Sequence, residues 1–514
     1  MDALLAGFDL AFNLPTIWGV VLGTLVGLVF GSIPGLTYSM ALALMLPVTF
    51  TLPAVPAMGV LLGTYVGGMT GGSVSAILIG VPGTPSAAAT VLDGYQMTRQ
   101  GHAAKALGTA VIVSVFGGLF SLVVMMVLVD AIAAAAIEFG PAEIFALVLF
   151  GMSTICGLAE RSLIRGLVAG IIGLMLMTVG LDELEGIPRF TFGATEVQQG
   201  INLLVAMIGL FAVPHAFQIF LEYRTGENRL DGVSAPVRAT LPRWRDLRPY
   251  FGLMLRSAGI GTGVGAIPGT GGPIAAFLAY DHARRFSKTP EKFGKGELGG
   301  VVAPETANNA VTGGAMIPLL SLGIPGDPAT AVILGGLLIH GLNPGPMLFV
   351  EHLPEIYALY IVIFAAYVVV LAAQLYGIRI FVRVLRIPPH LLAVGIIVMC
   401  ILGSYAIRNS MFDVYTMCVM GLAGYILLRV RIPVTPIVLG LVLGETLERE
   451  FRTAMIMSDG DSGIFVSSWI AIVFLALTAL TIGWQIRGMF RDRAASRNGG
   501  EDRQDPVPGK SEGA

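Results

Sequence analysis

The same proline–glycine break occurs twice in this chain, each time inside apolar sequence. Gly27, Gly31, Ile33, Pro34, Gly35 and Thr37 form the first copy, and Gly261, Gly265, Ile267, Pro268, Gly269 and Gly271 the second. A companion follows each: Gly80, Pro82, Gly83 and Pro85, then Gly323, Pro325, Gly326 and Pro328. Proline removes a backbone donor and glycine is a poor helix former, so a helix is interrupted at each pair. At membrane depth a broken backbone is tolerated only where protein or a water-filled cavity satisfies the freed groups. Two broken apolar segments in corresponding places of two halves point to the binding site of a secondary transporter.

The composition agrees with a membrane chain. Hydrophobic residues make up 55% of the 514 and charged residues 12%, against about 25% charged in soluble domains. Arg99 is the first Lys or Arg. Met1-Asp2 offers no basic region ahead of an apolar core, so the N-terminal segment is expected to be retained. Cys156, Cys400 and Cys418 lie in apolar runs without CxxC spacing and read as small buried hydrophobes. No G-x-x-x-x-G-K-[ST] or G-x-S-x-G sequence occurs, which leaves ATP-driven pumping and serine hydrolysis without a basis. Gly261-x-Gly263-x-x-Ala266 imitates a dinucleotide fingerprint but has no preceding strand and no βαβ acidic residue.

We expect an all-α polytopic membrane protein of about 10–12 spans. Uninterrupted candidates are 107–129, 144–160, 163–180, 199–222, 356–378, 388–406, 412–430 and 464–486, with a shorter one at 433–447. The stretches 14–53, 56–92, 251–280 and 299–348 read as broken helices or re-entrant hairpins. Basic loops mark the cytoplasmic side: Arg224, Arg229, Arg238, Arg243, Arg245 and Arg248, then Arg284, Arg285, Lys288, Lys292 and Lys295, with Arg161/Arg165, Arg379/Arg383/Arg386 and Arg429/Arg431 at further turns. Asp130/Glu138/Glu143, Asp182/Glu183/Glu185 and Glu351/Glu355 mark the outer face. The connection after the second-half break is basic, whereas Pro47–Met58 carries no charge. The second half ends its motif pair at Glu351 and the first at Arg99 and Lys105. Corresponding points thus lie on opposite sides, giving two inverted-topology repeats: 1–222 and 251–486, joined by a basic linker 223–250 and followed by a polar, disordered cytoplasmic tail 487–514.

A broken helix exposes N–H groups that attract carboxylates and carbonyls that coordinate cations. The expected substrate-binding set is therefore Pro34, Gly35, Thr37, Ser73, Pro82, Gly83, Pro268, Gly269, Thr270, Asn308, Asn309, Thr312, Pro325 and Gly326. Gly23 and Gly27 read as a close-packing ridge instead. Glu305 is costly in a bilayer, roughly 2.5–3.5 kcal/mol, and must face protein, water or an ion. Asn308 and Asn309 bring amide donors for a carboxylate and oxygens for Na⁺. Asp327 stands where the first half has Thr84, and is either a cation or proton site or a helix N-cap. Glu305 and Asp327 are the cation-coupling candidates. Asp93 reads as a turn residue. Neither His282 nor His340 pairs with a carboxylate at catalytic spacing, and no resident cofactor is implied beyond a coupling Na⁺.

These residues resemble the large membrane subunit of the tripartite tricarboxylate transporters, the TctA family, over roughly 15–450. The likeness rests on Gly31-Ser-Ile-Pro34-Gly35-Leu36-Thr37, on Asp93-Gly94-Tyr95 with Arg99-Gln-Gly101-His-Ala-Ala-Lys-Ala-Leu-Gly108, and on Gly180-Leu-Asp182 leading to Gly186-Ile-Pro-Arg-Phe-Thr-Phe-Gly193. The second half adds Gly265-Ala-Ile-Pro268-Gly269-Thr-Gly-Gly272, Pro304-Glu-Thr-Ala-Asn308-Asn309-Ala310 and His340-Gly-Leu-Asn-Pro-Gly-Pro346. The resemblance implies a cation-gradient-driven importer of di- or tricarboxylates in the bacterial inner membrane. It also implies a small TctB-like membrane subunit and a periplasmic TctC-like binding protein as partners, and no nucleic acid. Asp327 departs from the small residue the resemblance leads us to expect, and an acidic group there disfavours a highly charged anion unless it is protonated or ion-bound. A channel, an intramembrane enzyme and a non-transporting scaffold subunit are the rival readings.

Overall fold

The computed structural model describes residues 2–136, 139–158, 163–182, 185–224, 240–384 and 389–498. Glu138, Arg161, Glu183, Arg386, most of the basic linker (225–239) and the tail beyond Asn498 lie outside the described residues. Among the described residues six helices are long and apolar enough to cross a membrane: Leu14–Ser32, Ala54–Ile79, Ala103–Val129, Leu203–Leu221, Leu353–Gly377 and Met411–Arg429. Shorter apolar helices accompany them, and the chain is a polytopic all-α membrane protein.

After α1 (Asp2–Ala11) the first half runs α2 (Leu14–Ser32), α3 (Tyr38–Thr49), α4 (Ala54–Ile79), α5 (Ala88–Arg99) and α6 (Ala103–Ala136). Then come α7 (Pro141–Leu158), α8 (Leu163–Met177), a short hairpin of β1 (Gly180–Leu181) and β2 (Pro188–Arg189), α9 (Leu203–Met207) and α10 (Val213–Arg224). The second half has α11 (Phe251–Gly265), α12 (Gly271–Arg285), α13 (Gly299–Leu322), α14 (Pro328–Ile339) and α15 (Leu353–Val384). It closes with α16 (Pro389–Arg408), α17 (Met411–Arg429), α18 (Thr435–Met457) and α19 (Trp469–Asn498). The last helix continues past Arg487, where composition places the start of a tail.

Each of the four breaks falls at its proline–glycine motif, and on either side of it the chain is helical. Pro304 and Pro318 sit inside α13 without ending it. In a packed bundle, neighbouring groups can satisfy the carbonyls that a proline strands. The two long members of the pairs end alike: α4 stops at Gly80 (φ 71°) and α13 at Gly323 (φ 70°), both left-handed. Gly323 N–H and Ile324 N–H donate back to Leu319 and Pro318 carbonyls, the usual closure of a helix by a glycine that has no Cβ to clash.

Glycine faces hold the pairs together. A Cβ on Gly23 would stand 2.1 Å from the Val60 carbonyl, and one on Gly27 2.2 Å from that of Thr64. Gly67 answers from α4, 2.2 Å from the Thr24 carbonyl. Contacts advance in the same direction on both helices, so α2 and α4 run parallel with their backbones touching, as in small-residue membrane interfaces. Between them the chain must return. Gly19 lies against the Pro56 carbonyl, so after α3 the chain is back at the level where α2 began. The second half repeats the arrangement, with Gly261 against the Ala307 carbonyl and Gly265 against Val311. There α12 makes the return, and Gly299 at the head of α13 lies against Tyr250 at the head of α11.

The halves are locked at two chemically different ends. At one, the buried Asp93 carboxylate of α5 accepts from the amides of Gly296 and Glu297 (2.8 Å each) and from the Tyr280 hydroxyl (2.8 Å). Asp93 is therefore a tertiary anchor rather than a turn residue. Gln100 donates to the Lys295 carbonyl, and Lys105 pairs with Asp246 at 3.4 Å. At the other end His340 Nε2 meets Thr49 Oγ1 at 3.3 Å, and the β hairpin is tied to α18 through Arg189–Glu448 (2.7 Å) and Arg452–Asp182 (2.7 Å). The return arm α3 packs against the flanking helices through an apolar cluster in which Leu36, Met40 and Leu44 meet Val205, Ile208, Ala212 and Cys400.

These contacts make a differential expectation. Gly27→Val forces α2 off α4 and lowers stability by about 3 kcal/mol or more. Gly263→Ala, which meets nothing within 4 Å, leaves the protein as stable or slightly more so. Thermal unfolding of the two variants in one detergent measures the difference.

Candidate functional site

All four breaks contribute to one cavity of about 390 Å³, within the range of small-molecule sites. Thr37, Tyr38 and Ser39 come from the first break, Pro85 from the second, Gly269–Gly271 from the third, and Pro325, Asp327 and Pro328 from the fourth. The opposite wall is built by Phe211 and His215 and by Val434, Thr435 and Leu439 at the start of α18. The third and fourth breaks are also joined directly, Gly269 N–H donating to the Gly326 carbonyl at 2.8 Å. Gly83 packs beside the Gly31 carbonyl and donates to that of Gly72, so the first two breaks meet in the same way through their glycines.

Helices α3, α12 and α14 start at this cavity, so their first amides face it. Two are capped. Thr37 Oγ1 accepts from Met40 N–H at 3.2 Å. Asp327 and Thr330 form a reciprocal capping box, Asp327 Oδ1 accepting from Thr330 N–H at 2.7 Å and Thr330 Oγ1 from Asp327 N–H at 2.8 Å. The third, α12, has no side-chain cap. Its neighbour Thr270 turns its hydroxyl to the Val264 and Ile267 carbonyls instead. Gly271 takes φ +64° at the first position, and a Cβ built there would stand 3.8 Å from that of Asp327. The open amides of α12 can take a carboxylate oxygen, with a helix-dipole contribution of about 0.3–2 kcal/mol.

Asp327 is both the cap of α14 and part of the cavity wall. Its Oδ2 accepts from the Tyr65 hydroxyl at 2.9 Å, and the Tyr65 ring lies 6.1 Å from that of Tyr38. Among the described residues no Lys or Arg lines the cavity.

Asn308 stands one layer behind. Its Nδ2 donates to the Met69 carbonyl at 3.0 Å, which fixes the amide orientation because a flip would set two acceptors together. Oδ1 is buried, has no partner among the described residues, and lies 2.6 Å from where a Gly272 Cβ would be. The donor expected for a substrate carboxylate is thus spent on Met69, and Asn308 offers an acceptor beside the head of α12.

Glu305, Asn309 and Thr312 form a separate buried network. Glu305 accepts from Thr90 (2.6 Å) and Ser114 (3.2 Å). Asn309 accepts from Thr70 (2.7 Å) and donates to the Glu305 carbonyl (3.1 Å), and Thr312 donates to the Asn309 carbonyl and meets the Tyr367 hydroxyl, each at 2.6 Å. Five helices are joined by these bonds, and the Glu305 carboxylate faces hydroxyl donors. The two expected cation-coupling carboxylates therefore share no hydrogen-bond partner. Among the described residues no group of three or more His, Cys, Asp or Glu could hold a metal ion.

Of the expected substrate-binding residues, Thr37, Gly269, Thr270 and Pro325 line the cavity. Gly35 is exposed at the tip of the first break, and Ser73 donates to the Thr70 carbonyl at 2.8 Å. Pro34, Pro82, Gly83, Pro268 and Gly326 shape the breaks without being part of the wall. Tyr38 and Ser39, next to Thr37 at the first break where the sequence lets a substrate approach the backbone, also line the cavity. Sequence reasoning passed over His215. The signal for His215 is slight: a Pro-His pair closing an apolar run.

A polytopic helical membrane protein whose broken helices surround one cavity is built for transport. The chain belongs to the tripartite tricarboxylate transporter TctA family, whose model matches residues 17–439. It is 37% identical over 475 residues to a chain described as an uncharacterized 52.8 kDa protein in the TAR-I ttuC' 3' region of Agrobacterium vitis, covering 92% of this chain and 93% of that one. A second chain from the same organism, described as an uncharacterized protein in the TAR-II ttuC' 3' region, is 38% identical over 217 residues, 42% of this chain and 90% of its own length. No solved structure matches.

The Glu305 network separates stability from charge. Glu305→Leu orphans the Thr90 and Ser114 hydroxyls and costs about 1–3 kcal/mol for each. Glu305→Gln keeps an oxygen for Thr90 and an amide for Ser114, and its melting temperature stays near that of the parent. Loss of transport in the Gln variant at unchanged stability assigns the charge itself a role.

Proposed function

We propose that this chain is the large membrane subunit of a secondary transporter that imports an organic carboxylate across the bacterial inner membrane. The observation that carries the reading is the meeting of all four breaks at one cavity, with the uncapped head of α12 open to it. Coupling is to a Na⁺ or H⁺ gradient, with Asp327 at the cavity and Glu305 behind it as the groups that take the cation. A TctB-like small membrane subunit and a TctC-like periplasmic binding protein complete the system, in keeping with the family.

The two halves act as inverted-topology repeats, α2–α5 and α11–α14, each a hairpin that enters and returns followed by a broken span. Support comes from where the pairs begin. Helices α2 and α4 start at the end of the molecule where His340 meets Thr49, and α11 and α13 at the end anchored by Asp93. The basic 281–297 connection lies at the Asp93 end, which is accordingly the cytoplasmic one. Carboxylates bind to backbone dipoles rather than to Lys or Arg, neither of which lines the cavity among the described residues.

Proteoliposomes holding the chain with its two partners are expected to accumulate citrate or succinate uphill when a Na⁺ or pH gradient is imposed. An Asn308→Ala/Asn309→Ala double substitution lowers uptake by about tenfold or more, through the loss of buried hydrogen bonds worth about 1–3 kcal/mol. Undiminished uptake would remove the asparagines from the site. Flux that only runs downhill would make the protein a channel.

A further inference from the structure

We infer that His215 is a substrate contact whose Nε2–H binds a carboxylate oxygen, so that substrate binding takes up a proton at this ring. This deepens the carboxylate reading of the cavity and rests on it. His215 Nδ1 lies 2.7 Å from the Phe211 carbonyl. A carbonyl only accepts, so Nδ1 carries the hydrogen and the ring is fixed in that tautomer. Nε2 is then the ring's remaining polar atom, and His215 belongs to the cavity wall. His215 lies three residues beyond a π-helical turn, Ile208–Ala212, a local irregularity frequent at functional sites.

Three of the other polar side chains of the wall are committed. Thr37 caps α3, Thr270 is bonded to two carbonyls, and both Asp327 oxygens have donors. The cavity already contains one carboxylate. A carboxylate substrate adds negative charge in a site with no Lys or Arg among the described residues, and unbalanced charge is expensive away from water. Among the described residues, His215 is the one cavity-lining side chain that can become a cation. Neutral imidazole presents a lone pair at Nε2 and repels a carboxylate oxygen, whereas imidazolium donates to it.

Among the described side chains, the surroundings do not supply that charge otherwise. Helix α10 packs on α16 and α17, which carry His390, Cys400, Tyr405 and Arg408, and Asp413, Tyr415, Cys418, Tyr425 and Arg429. Arg408 and Asp413 pair at 2.5 Å, and Arg429 lies over the Tyr425 ring at 5.3 Å. Across the cavity stand Asp327 and Tyr38.

The test uses the purified full chain in nanodiscs, with succinate and citrate as probes. Calorimetry in buffers of different ionisation enthalpy counts protons taken up on binding. The wild-type protein is expected to gain about one proton per bound probe, with affinity falling roughly tenfold per pH unit above the histidine titration. His215→Asn keeps a donor for the Phe211 carbonyl but has nothing in place of Nε2. It is expected to bind at least about tenfold more weakly, with no proton gained and a flat pH profile. Asp327→Asn is expected to retain the proton uptake. A His215→Asn variant with wild-type affinity and proton uptake overturns the inference while leaving the carboxylate reading intact, as does proton uptake that disappears in Asp327→Asn and persists in His215→Asn. Wild-type protein that binds neither probe at any pH overturns the carboxylate reading, and this inference with it.

Discussion

Direct contact between helix backbones is the interaction on which the rest of this structure depends. Lipid gives two helices no hydrophobic reason to associate, so close packing of small residues must do so. Along α2 and α4, and again along α11 and α13, a glycine on one helix meets a carbonyl on the other, closely enough that any side chain would collide with it. That proximity fixes the depth of the breaks. The first break is held against Gly68 of α4, the second against Gly72, and the third against the fourth. Without the glycine seam, four loops with free amides and carbonyls would have no protein around them.

The same constraint explains why the site is made of backbone. Where chain breaks converge, helix starts converge too, and their first amides are the donors at hand. Caps on α3 and α14 use up part of this capacity, and the missing cap on α12 leaves it open. Asp327 shows how one residue meets two demands. Its Oδ1 closes a capping box that stabilises α14, while Oδ2 takes the Tyr65 hydroxyl and the residue forms part of the cavity wall. The two readings left open from sequence, cap and charged site, are therefore compatible.

Behind the cavity lies a second polar layer of different character. Glu305, Asn309 and Thr312 are satisfied by hydroxyls from α4, α5, α6 and α15, which pin the second half's central helix to the first half. A buried carboxylate with hydroxyl partners is costly to maintain and rigid once satisfied. It gives the molecule a fixed frame around the breaks. The contact between α3 and the flanking helices, by contrast, is made through apolar side chains.

The sequence by itself determined the membrane class, the position of all four breaks, the packing role of Gly23 and Gly27 and the family. Each of these depends on local chemistry: an apolar run, a proline without an amide, a glycine without a side chain. It also placed Thr37, Gly269, Thr270, Pro325 and Asp327, because the cavity forms at the breaks themselves. Only the tertiary structure decided which polar groups meet. Tyr65 and Asp327 are 262 positions apart, and Thr90 and Glu305 are 215. No periodicity or spacing encodes such pairings. The fold set Glu305 apart from Asp327, turned the Asn308 donor to a carbonyl of the other half, and brought His215 from an unremarked apolar run to the cavity wall. A side chain's type is written in the sequence, but whether its hydrogen-bonding capacity is free or spent depends on neighbours supplied by distant chain.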